Sequence, residues 1–350
     1  MRKQLLAGMI LMGLFSCKTE LTDSNHEPQL PSPTFQTFEV ASSVRALEVL
    51  ASGEVWYAGS NGQYGYSSNG GIDWVRDSFL LEDRPMEFRS IASTREAIFL
   101  LATESPAMLF KSTDKGRQWQ LVYREDHPAC YYNAMTFWDD TDGIAVGDPI
   151  DGCLSILLTT DGGDHWEKLS CKILPPIEAG EAGFAASNTN VAVLGDHAWV
   201  GTGGAKARVF HTPDRGQNWE VYETPINQGG KMTGIFSVDF WDAQYGIIVG
   251  GDWEKKDRNT LTKAMTTDGG KSWTLLNDGQ EPAFRSCVQY VPGSEGKELF
   301  AIGIPGISYS SNGGRSWELW SEQSFYTIRI FPSGKGAWLA GKNRLAKLVW

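Results

Sequence analysis

Histidine and positive charge are scarce in this sequence. The 350 residues include five histidines, and 31 lysines and arginines face 42 aspartates and glutamates, which gives a net charge of −11. The histidines are dispersed and no Cys or Cys/His spacing of a zinc site occurs, so we expect neither a metal centre nor a histidine base. The acidic balance also disfavours nucleic acid and anionic membrane surfaces as partners.

Motifs that hold cofactors or activate nucleophiles are missing as well. The sequence contains no phosphate-cradling glycine loop, no dinucleotide fingerprint and no nucleophile elbow. We therefore expect no cofactor. The sequence favours a binding protein over an enzyme.

Long hydrophobic runs are lacking except near the start of the chain. Two basic residues precede an apolar run, residues 5–15, that is too short to span a bilayer. The tetrapeptide LFSC at residues 14–17 resembles a bacterial lipobox, which predicts a signal peptide over residues 1–16 and a lipid anchor at Cys17. An ordinary secretory signal is the alternative, and both interpretations export the protein to the periplasm or cell surface. Residues 17–34 are polar and predict a flexible tether.

Cysteine is sparse, with four residues beyond Cys17. Export leads to an environment that permits disulfides. Cys153 and Cys171 flank one predicted hairpin at nearly equal distances from its turn, so they could face each other across neighbouring strands. The sequence leaves open whether this disulfide forms.

Glycine and tryptophan are abundant, with 39 and 14 residues, and they recur in one motif. The pattern [ST]-x-[DN]-x-G-x-x-W occurs six times, ending at Trp74, Trp119, Trp166, Trp219, Trp273 and Trp317. Its Asp or Asn suits hydrogen bonds to turn amides, its Gly suits a positive φ, and its Trp suits packing of a hairpin on the core. We interpret each copy as an Asp-box turn, with the structural residues Asn69, Asp114, Asp161, Asp214, Asp268 and Asn312.

The spacing of the repeats indicates the architecture. Successive tryptophans lie 44 to 54 residues apart, which is typical of four-stranded propeller blades. After the sixth copy the chain repeats the first three strands of a blade, and residues 35–40 form an unassigned strand before the first complete blade. Pairing these segments would remove two exposed sheet edges. We therefore predict an all-β, monomeric, seven-bladed β-propeller over residues 35–350, with the last blade closed by the N-terminal strand.

The first strands of several blades begin with an arginine or asparagine. The predicted positions are Arg45, Arg89, Asn133, Arg285 and Arg329. These starts should lie on the face opposite the Asp boxes, where the four arginines would form one arc, because their blades are neighbours around the ring. Guanidinium groups suit carboxylate or phosphate, so we expect a ligand-binding patch. The alternative is that each arginine packs its stem between blades and pairs with a nearby carboxylate.

Several segments resemble the photosystem II stability and assembly factor family, namely VRALEV, GIAVGD, LLTTDGGDHW, GIIVGG and MTTDGGKSW. The resemblance implies an exported seven-bladed propeller with arginines clustered on one face. It also implies an assembly factor that binds a protein or peptide, for example a membrane protein, rather than a catalyst. The matching positions are Arg45, Arg89, Arg285 and Arg329. The lipobox is a departure that suggests a bacterial lipoprotein, and the fourth and fifth repeats lack the arginine.

A glycoside hydrolase or a carbohydrate-binding propeller is the alternative function, because Asp boxes also occur in sialidases and glucan hydrolases. A sialidase needs an arginine cluster, a tyrosine nucleophile with a glutamate partner, and an acid/base residue. Tyr131, Tyr132, Tyr326 and Glu181 begin first strands near the predicted patch. The chain lacks the RIP sequence typical of sialidases.

Overall fold

The computed structural model describes residues 30–81 and 84–350. The predicted signal peptide, the predicted anchor Cys17 and most of the predicted tether lie outside these residues. One 3₁₀ turn, Ser60–Gly62, is the sole helical element within them, and every other regular element is a strand. The protein is an all-β propeller. The described part of the chain has no helix that is long and apolar enough to cross a membrane.

The described residues form thirty strands. In chain order they are β1 (Thr34–Val49), β2 (Val55–Gly59), β3 (Gln63–Ser67), β4 (Val75–Ser78), β5 (Leu80–Leu81), β6 (Arg84–Pro85), β7 (Phe88–Ser93), β8 (Ile98–Ala102), β9 (Ala107–Ser112), β10 (Gln120–Glu125), β11 (Tyr132–Phe137), β12 (Gly143–Ile150), β13 (Cys153–Thr159), β14 (Glu167–Lys168), β15 (Glu181–Ala182), β16 (Val191–Leu194), β17 (His197–Gly201), β18 (Gly203–Gly204), β19 (Arg208–Thr212), β20 (Glu220–Glu223), β21 (Thr233–Phe240), β22 (Gly246–Asp252), β23 (Lys263–Thr266), β24 (Thr274–Leu275), β25 (Cys287–Tyr290), β26 (Leu299–Gly303), β27 (Gly306–Ser310), β28 (Glu318–Ser321), β29 (Thr327–Ile330) and β30 (Ala337–Val349).

These strands assemble into six antiparallel blade sheets and one two-stranded ribbon, β5 and β6. Four sheets have four strands and two have six. The second strands of the blades, such as β2, β8 and β26, are buried along their whole length. Because neighbouring sheets cover both of their faces, their sequences are continuous apolar runs and do not alternate between apolar and polar residues.

The prediction of seven separate four-stranded blades is wrong, because the described residues form six. The N-terminal strand does pair with the C-terminal strand, from Thr34 opposite Val349 to Ser43 opposite Lys342. However, β1 continues past this pairing and joins β2 from Val44 onward. The segment expected to close a blade of its own therefore shares one six-stranded sheet, in the order β29, β30, β1, β2, β3, β4.

The six [ST]-x-[DN]-x-G-x-x-W turns share one hydrogen-bond pattern. In the copy that ends at Trp166, the Gly163 amide donates to Thr159 Oγ1 at 3.0 Å and the His165 amide donates to Asp161 Oδ1 at 3.1 Å. Gly163 has φ 80°, and a Cβ there would lie 2.4 Å from Phe99 Cε1. The glycine is therefore needed both for the turn and for the close approach of the neighbouring blade.

The cysteines lie in two environments. Cys153 and Cys171 form a disulfide with a Cα–Cα distance of 5.5 Å, which links β13 to the loop after β14. Cys130 and Cys287 are free and buried.

Candidate functional site

Arg45 and Arg89 occupy the same structural position in two neighbouring first strands. Between Val44 and Ala46 the register of β1 against β2 shifts, and the same shift occurs between Phe88 and Ser90 in β7. Each arginine is thus the extra residue of a bulge. Bulges re-aim a side chain away from the ladder, and here both side chains turn toward the central channel.

The bulges lie at the end of the sheet away from the [ST]-x-[DN]-x-G-x-x-W turns. Val44 pairs with Gly59 at the end of β2, whereas Val49 pairs with Val55, which in turn pairs with Ser67 beside the first turn. The first strands therefore begin on the opposite face. We call this the bulge face.

Arg45 is a largely buried cation that has no carboxylate within ion-pair distance among the described residues. Its guanidinium carbon lies 4.0 Å from the ring centroid of Tyr326, and its Nη1 donates to the Ala186 carbonyl at 3.1 Å. Burial, and then the charge of Arg89, lower the pKa of Arg45 to about 10. The side chain stays charged at neutral pH, with donors left over.

Arg89 is only partly compensated. Its Nε pairs with Glu87 at 3.1 Å, and both side chains are 27% exposed, so this ion pair is screened by solvent. Its Nη1 donates to the Ala185 carbonyl at 3.4 Å. Two guanidinium groups therefore share this region with one carboxylate bonded to them.

Arg45 and Arg89 line one pocket of about 370 Å³, which we call the arginine pocket. Its other lining residues include Tyr131, Asp148, Phe184, Lys231, Met232, Phe236 and Trp253. Two cations approach the ring of Trp253, with Arg45 5.7 Å and Lys256 4.4 Å from its centroid. Phe184 stacks on Phe236 with a centroid distance of 4.0 Å. The pocket thus combines positive charge with an apolar wall.

Residues 183–190 cross the channel, and we call them the crossing segment. Its first part, residues 183–186, forms the floor of this pocket. The Asn188 Oδ1 accepts a hydrogen bond from the Met135 amide at 2.9 Å, and its Nδ2 donates to the Ile91 carbonyl at 2.7 Å. The Val238 amide donates to the Thr189 carbonyl at 2.9 Å. These contacts reach first strands on several sides, so the crossing segment closes the channel.

Arg329 lies below the crossing segment and outside the arginine pocket. Its Nη2 donates to the carbonyls of Ser187 and Asn188 at 3.3 and 3.4 Å. It lines a second, smaller cavity of about 230 Å³ with Glu48 and Asp239. Burial raises the pKa of Asp239 to about 7 and also raises the pKa of Glu48, while Arg329 opposes both shifts.

Arg285 is a scaffold residue. Its side chain is 1% exposed, its Nη2 pairs with Glu281 and hydrogen-bonds Ser308, and its Nη1 donates to the Phe284 carbonyl at 2.9 Å. The predicted single arc of four arginines is therefore not present. The structure brings together Arg45 and Arg89, leaves Arg329 on the other side of the crossing segment, and buries Arg285.

The register of the bulges explains this difference. The amides of Ser286 and Tyr326 donate to Ile302 and Ala340, the residues that correspond to Ala58 in the first repeat. These two residues, not Arg285 and Arg329, thus match Arg45. Arg285 lies one residue before the position that matches Arg45, and Arg329 lies three residues after it.

Asn133 occupies the bulge position of β11 and is buried. Its Nδ2 donates to Asp148 Oδ1 at 2.9 Å, and the same oxygen accepts a hydrogen bond from the Gly183 amide at 3.0 Å. Asn133 therefore positions Asp148 and the start of the crossing segment rather than lining the pocket.

The residues considered for a sialidase divide between the core and the pocket. Glu181 is fully buried and forms an ion pair with Arg208, and the Tyr132 hydroxyl lies 3.4 Å from Glu125. Tyr131 lines the arginine pocket, and Tyr326 packs beneath Arg45. In the described ranges, no group of three or more His, Cys, Asp or Glu side chains could hold a metal ion.

Sequence reasoning missed several pocket residues, among them Asp148, Phe184, Lys231 and Trp253. Phe184 comes from the fourth repeat and Lys231 and Trp253 from the fifth, the two repeats in which the arginine pattern breaks. That break was the available signal, because a repeat that loses its common pattern is free to contribute other residues.

Comparisons with known proteins support the fold. No family model matches the sequence, and no curated protein matches it by sequence. A solved structure of YCF48 bound to D1 peptide is similar, with a TM-score of 0.67 and 14% identity over 92% of this chain and 99% of that one. Virginiamycin B lyase from Staphylococcus aureus has a TM-score of 0.67 at 12% identity, covering 91% of this chain and 100% of that one.

A glycoside hydrolase is also among the similar structures. The GH74 xyloglucanase from Xanthomonas campestris has a TM-score of 0.62 and 14% identity over 89% of this chain, which spans 53% of that enzyme. At such identities the likeness establishes the β-propeller fold alone.

Proposed function

We propose that the protein is a non-catalytic binding propeller that recognises a carboxylate of a protein or peptide at the arginine pocket. The observation that carries the proposal is Arg45, a largely buried cation with no carboxylate of the described chain within ion-pair distance. Buried charges in proteins are normally paired. The missing anion is therefore expected from a ligand.

The second arginine makes a carboxylate a suitable anion. Arg89 adds a partly compensated guanidinium to the same pocket. Guanidinium forks bind carboxylates through paired, charge-assisted hydrogen bonds. The excess of acidic residues elsewhere in the protein leaves this as a local positive feature.

The apolar wall favours a peptide over a bare anion. Phe184, Met232 and Trp253 line the pocket beside the arginines, and aromatic side chains dominate binding energy at protein interfaces. The structure of YCF48 with a D1 peptide is a precedent for peptide binding by a propeller of this shape. Export, and a lipid anchor at Cys17, stay predictions from the sequence that suit an envelope partner.

A peptide library with free α-carboxylates, compared with the same library as C-terminal amides, tests the proposal. We expect the wild-type protein to retain the free acids, and the double variant Arg45→Ala/Arg89→Ala to lose them by at least about tenfold, because charged hydrogen bonds are removed. Bound peptides are identified by mass spectrometry after gel filtration.

Arg344→Ala is the matched control, since Arg344 also stacks on an aromatic ring, 4.2 Å from the Phe325 centroid, yet lies outside the pocket. Retention by this control should equal that of the wild type. Equal retention of acids and amides by the wild type, unchanged in the double variant, would contradict the proposal.

A further inference from the structure

The arginine pocket also has a negative pole. Asp148 lines it together with Arg45 and Arg89. One carboxylate oxygen, Oδ1, accepts from Asn133 Nδ2 and from the Gly183 amide. The other oxygen, Oδ2, has no hydrogen-bond partner among residues 30–81 and 84–350, and no lysine or arginine of these ranges pairs with the carboxylate. Asp148 is therefore fixed in place with one acceptor unused.

Tyr131 lies within electrostatic reach of both poles. Burial raises the pKa of its phenol, while Arg89 lowers it and Asp148 raises it. Its hydroxyl has no partner in the described part of the chain, so it offers a further donor and acceptor to a ligand in the pocket.

The crossing segment makes the pocket a dead end. Gly183 and Phe184 lie in the floor, and the contacts of Asn188 and Thr189 close the channel beneath them. A chain cannot pass through the propeller from this side. The pocket therefore suits the end of a peptide rather than its middle.

The volume limits the occupant further. The pocket of about 370 Å³ lies near the lower end of the roughly 300–1,000 Å³ found for small-molecule pockets. That size suits a ligand of about two or three amino-acid residues. A ligand of this length would place its carboxylate and its amino group in the same pocket.

We propose that the arginine pocket binds short free peptides of two or three residues. The carboxylate binds Arg45 and Arg89, the ammonium group binds Asp148, and an apolar side chain packs on Trp253 and Phe184. This inference rests on the proposed function and adds the second charge and the size of the ligand.

Three pools of dipeptides and tripeptides test it, namely unmodified, N-acetylated and C-amidated, at the same total concentration. We expect the wild-type protein to retain unmodified peptides with apolar side chains at least about tenfold better than either modified pool. The variant Asp148→Asn should lower retention of the unmodified pool to that of the acetylated pool. It keeps Oδ1 as the acceptor for Gly183, and its unchanged melting temperature would show that the crossing segment is intact.

The outcomes separate this inference from the proposed function. If the acetylated pool is retained as well as the unmodified pool, if Asp148→Asn leaves the preference for a free amine unchanged, or if neither dipeptides nor tripeptides are retained, the inference is wrong. The proposed function is contradicted separately if amidated ligands are retained as well as acids and Arg45→Ala/Arg89→Ala has no effect.

Discussion

Arg208 and Arg45 both project from blade strands into partly or fully buried surroundings, yet their partners differ. Arg208 is 8% exposed and donates its Nε to both oxygens of Glu181 at 3.1 Å, and Glu181 is 0% exposed and also bonded by Thr202. Arg45 has one carbonyl and the face of Tyr326. Arg208, bonded to a buried carboxylate, is part of the scaffold, whereas Arg45, which lines a pocket and has no carboxylate bonded to it, is where we propose that a ligand binds.

The largest effect on the unfolding free energy is expected when Arg208, the arginine paired with a carboxylate, is replaced. Arg208→Met leaves the Glu181 carboxylate buried and unpaired, which costs about 3–5 kcal/mol of unfolding free energy. Urea denaturation measures the loss. The double variant Arg208→Met/Glu181→Met should recover most of it, because no charge then stays buried. A single-variant loss below about 1 kcal/mol would remove the distinction drawn between the two arginines.

His211, a buried histidine that is neutral at pH 7, should give a smaller, pH-dependent effect on the unfolding free energy. Burial, and then His197, lower the pKa of His211 to about 4 from 6.5. The folded state favours the neutral ring, so its contribution is complete above pH 6.5 and is lost as the pH falls toward 4. Between pH 7 and pH 4 the wild type should lose about 2–3 kcal/mol more than His211→Phe in urea denaturation.

The comparison with His211→Phe is needed because Asp239 acts in the opposite direction. Its pKa is raised to about 7, so its contribution is lost as the pH rises. Asp239 is present in both proteins, so its contribution cancels when their unfolding free energies are subtracted. Parallel pH profiles for the two proteins would show that His211 is not the group responsible.

The smallest change in stability is expected at Arg45. Arg45→Met removes a cation without leaving a carboxylate unpaired, so the unfolding free energy should change by less than about 1 kcal/mol in either direction. Retention of carboxylate peptides should fall in the same variant. A loss of 3 kcal/mol or more, like that expected for Arg208→Met, would make Arg45 a scaffold residue.

Local features of the fold were predictable from the sequence, and relations between distant segments were less so. The propeller follows from the repeated turns, in which residues such as Asp161 and Trp166 act within a few positions of each other. The pairing of residues 35–40 with the C-terminal strand followed from unpaired edges. A separate seventh blade did not follow from the unpaired edges, because the sequence does not show whether β1 ends after that pairing or continues into the next sheet.

The candidate site was predictable in part for a similar reason. Arg45 and Arg89 occupy equivalent bulges and line one pocket, whereas Arg285 and Arg329 lie elsewhere because a shift of one to three residues turns a side chain to another surface. The crossing segment has no repeat signature, and its contacts with Met135 and Val238 depend on the finished ring. Asp148 and Trp253 could not be assigned to the pocket from the sequence, because the pocket depends on the crossing segment.

The pairing of β1 with β30 has a consequence for synthesis. Thr34 is among the first residues of the fold to leave the ribosome, and its partner Val349 is among the last. Such distant contacts carry a high entropic cost and form late. A growing chain must therefore hold the outer half of β1 as an exposed strand edge until β30 has been synthesised, which leaves that strand open to wrong pairing in the meantime.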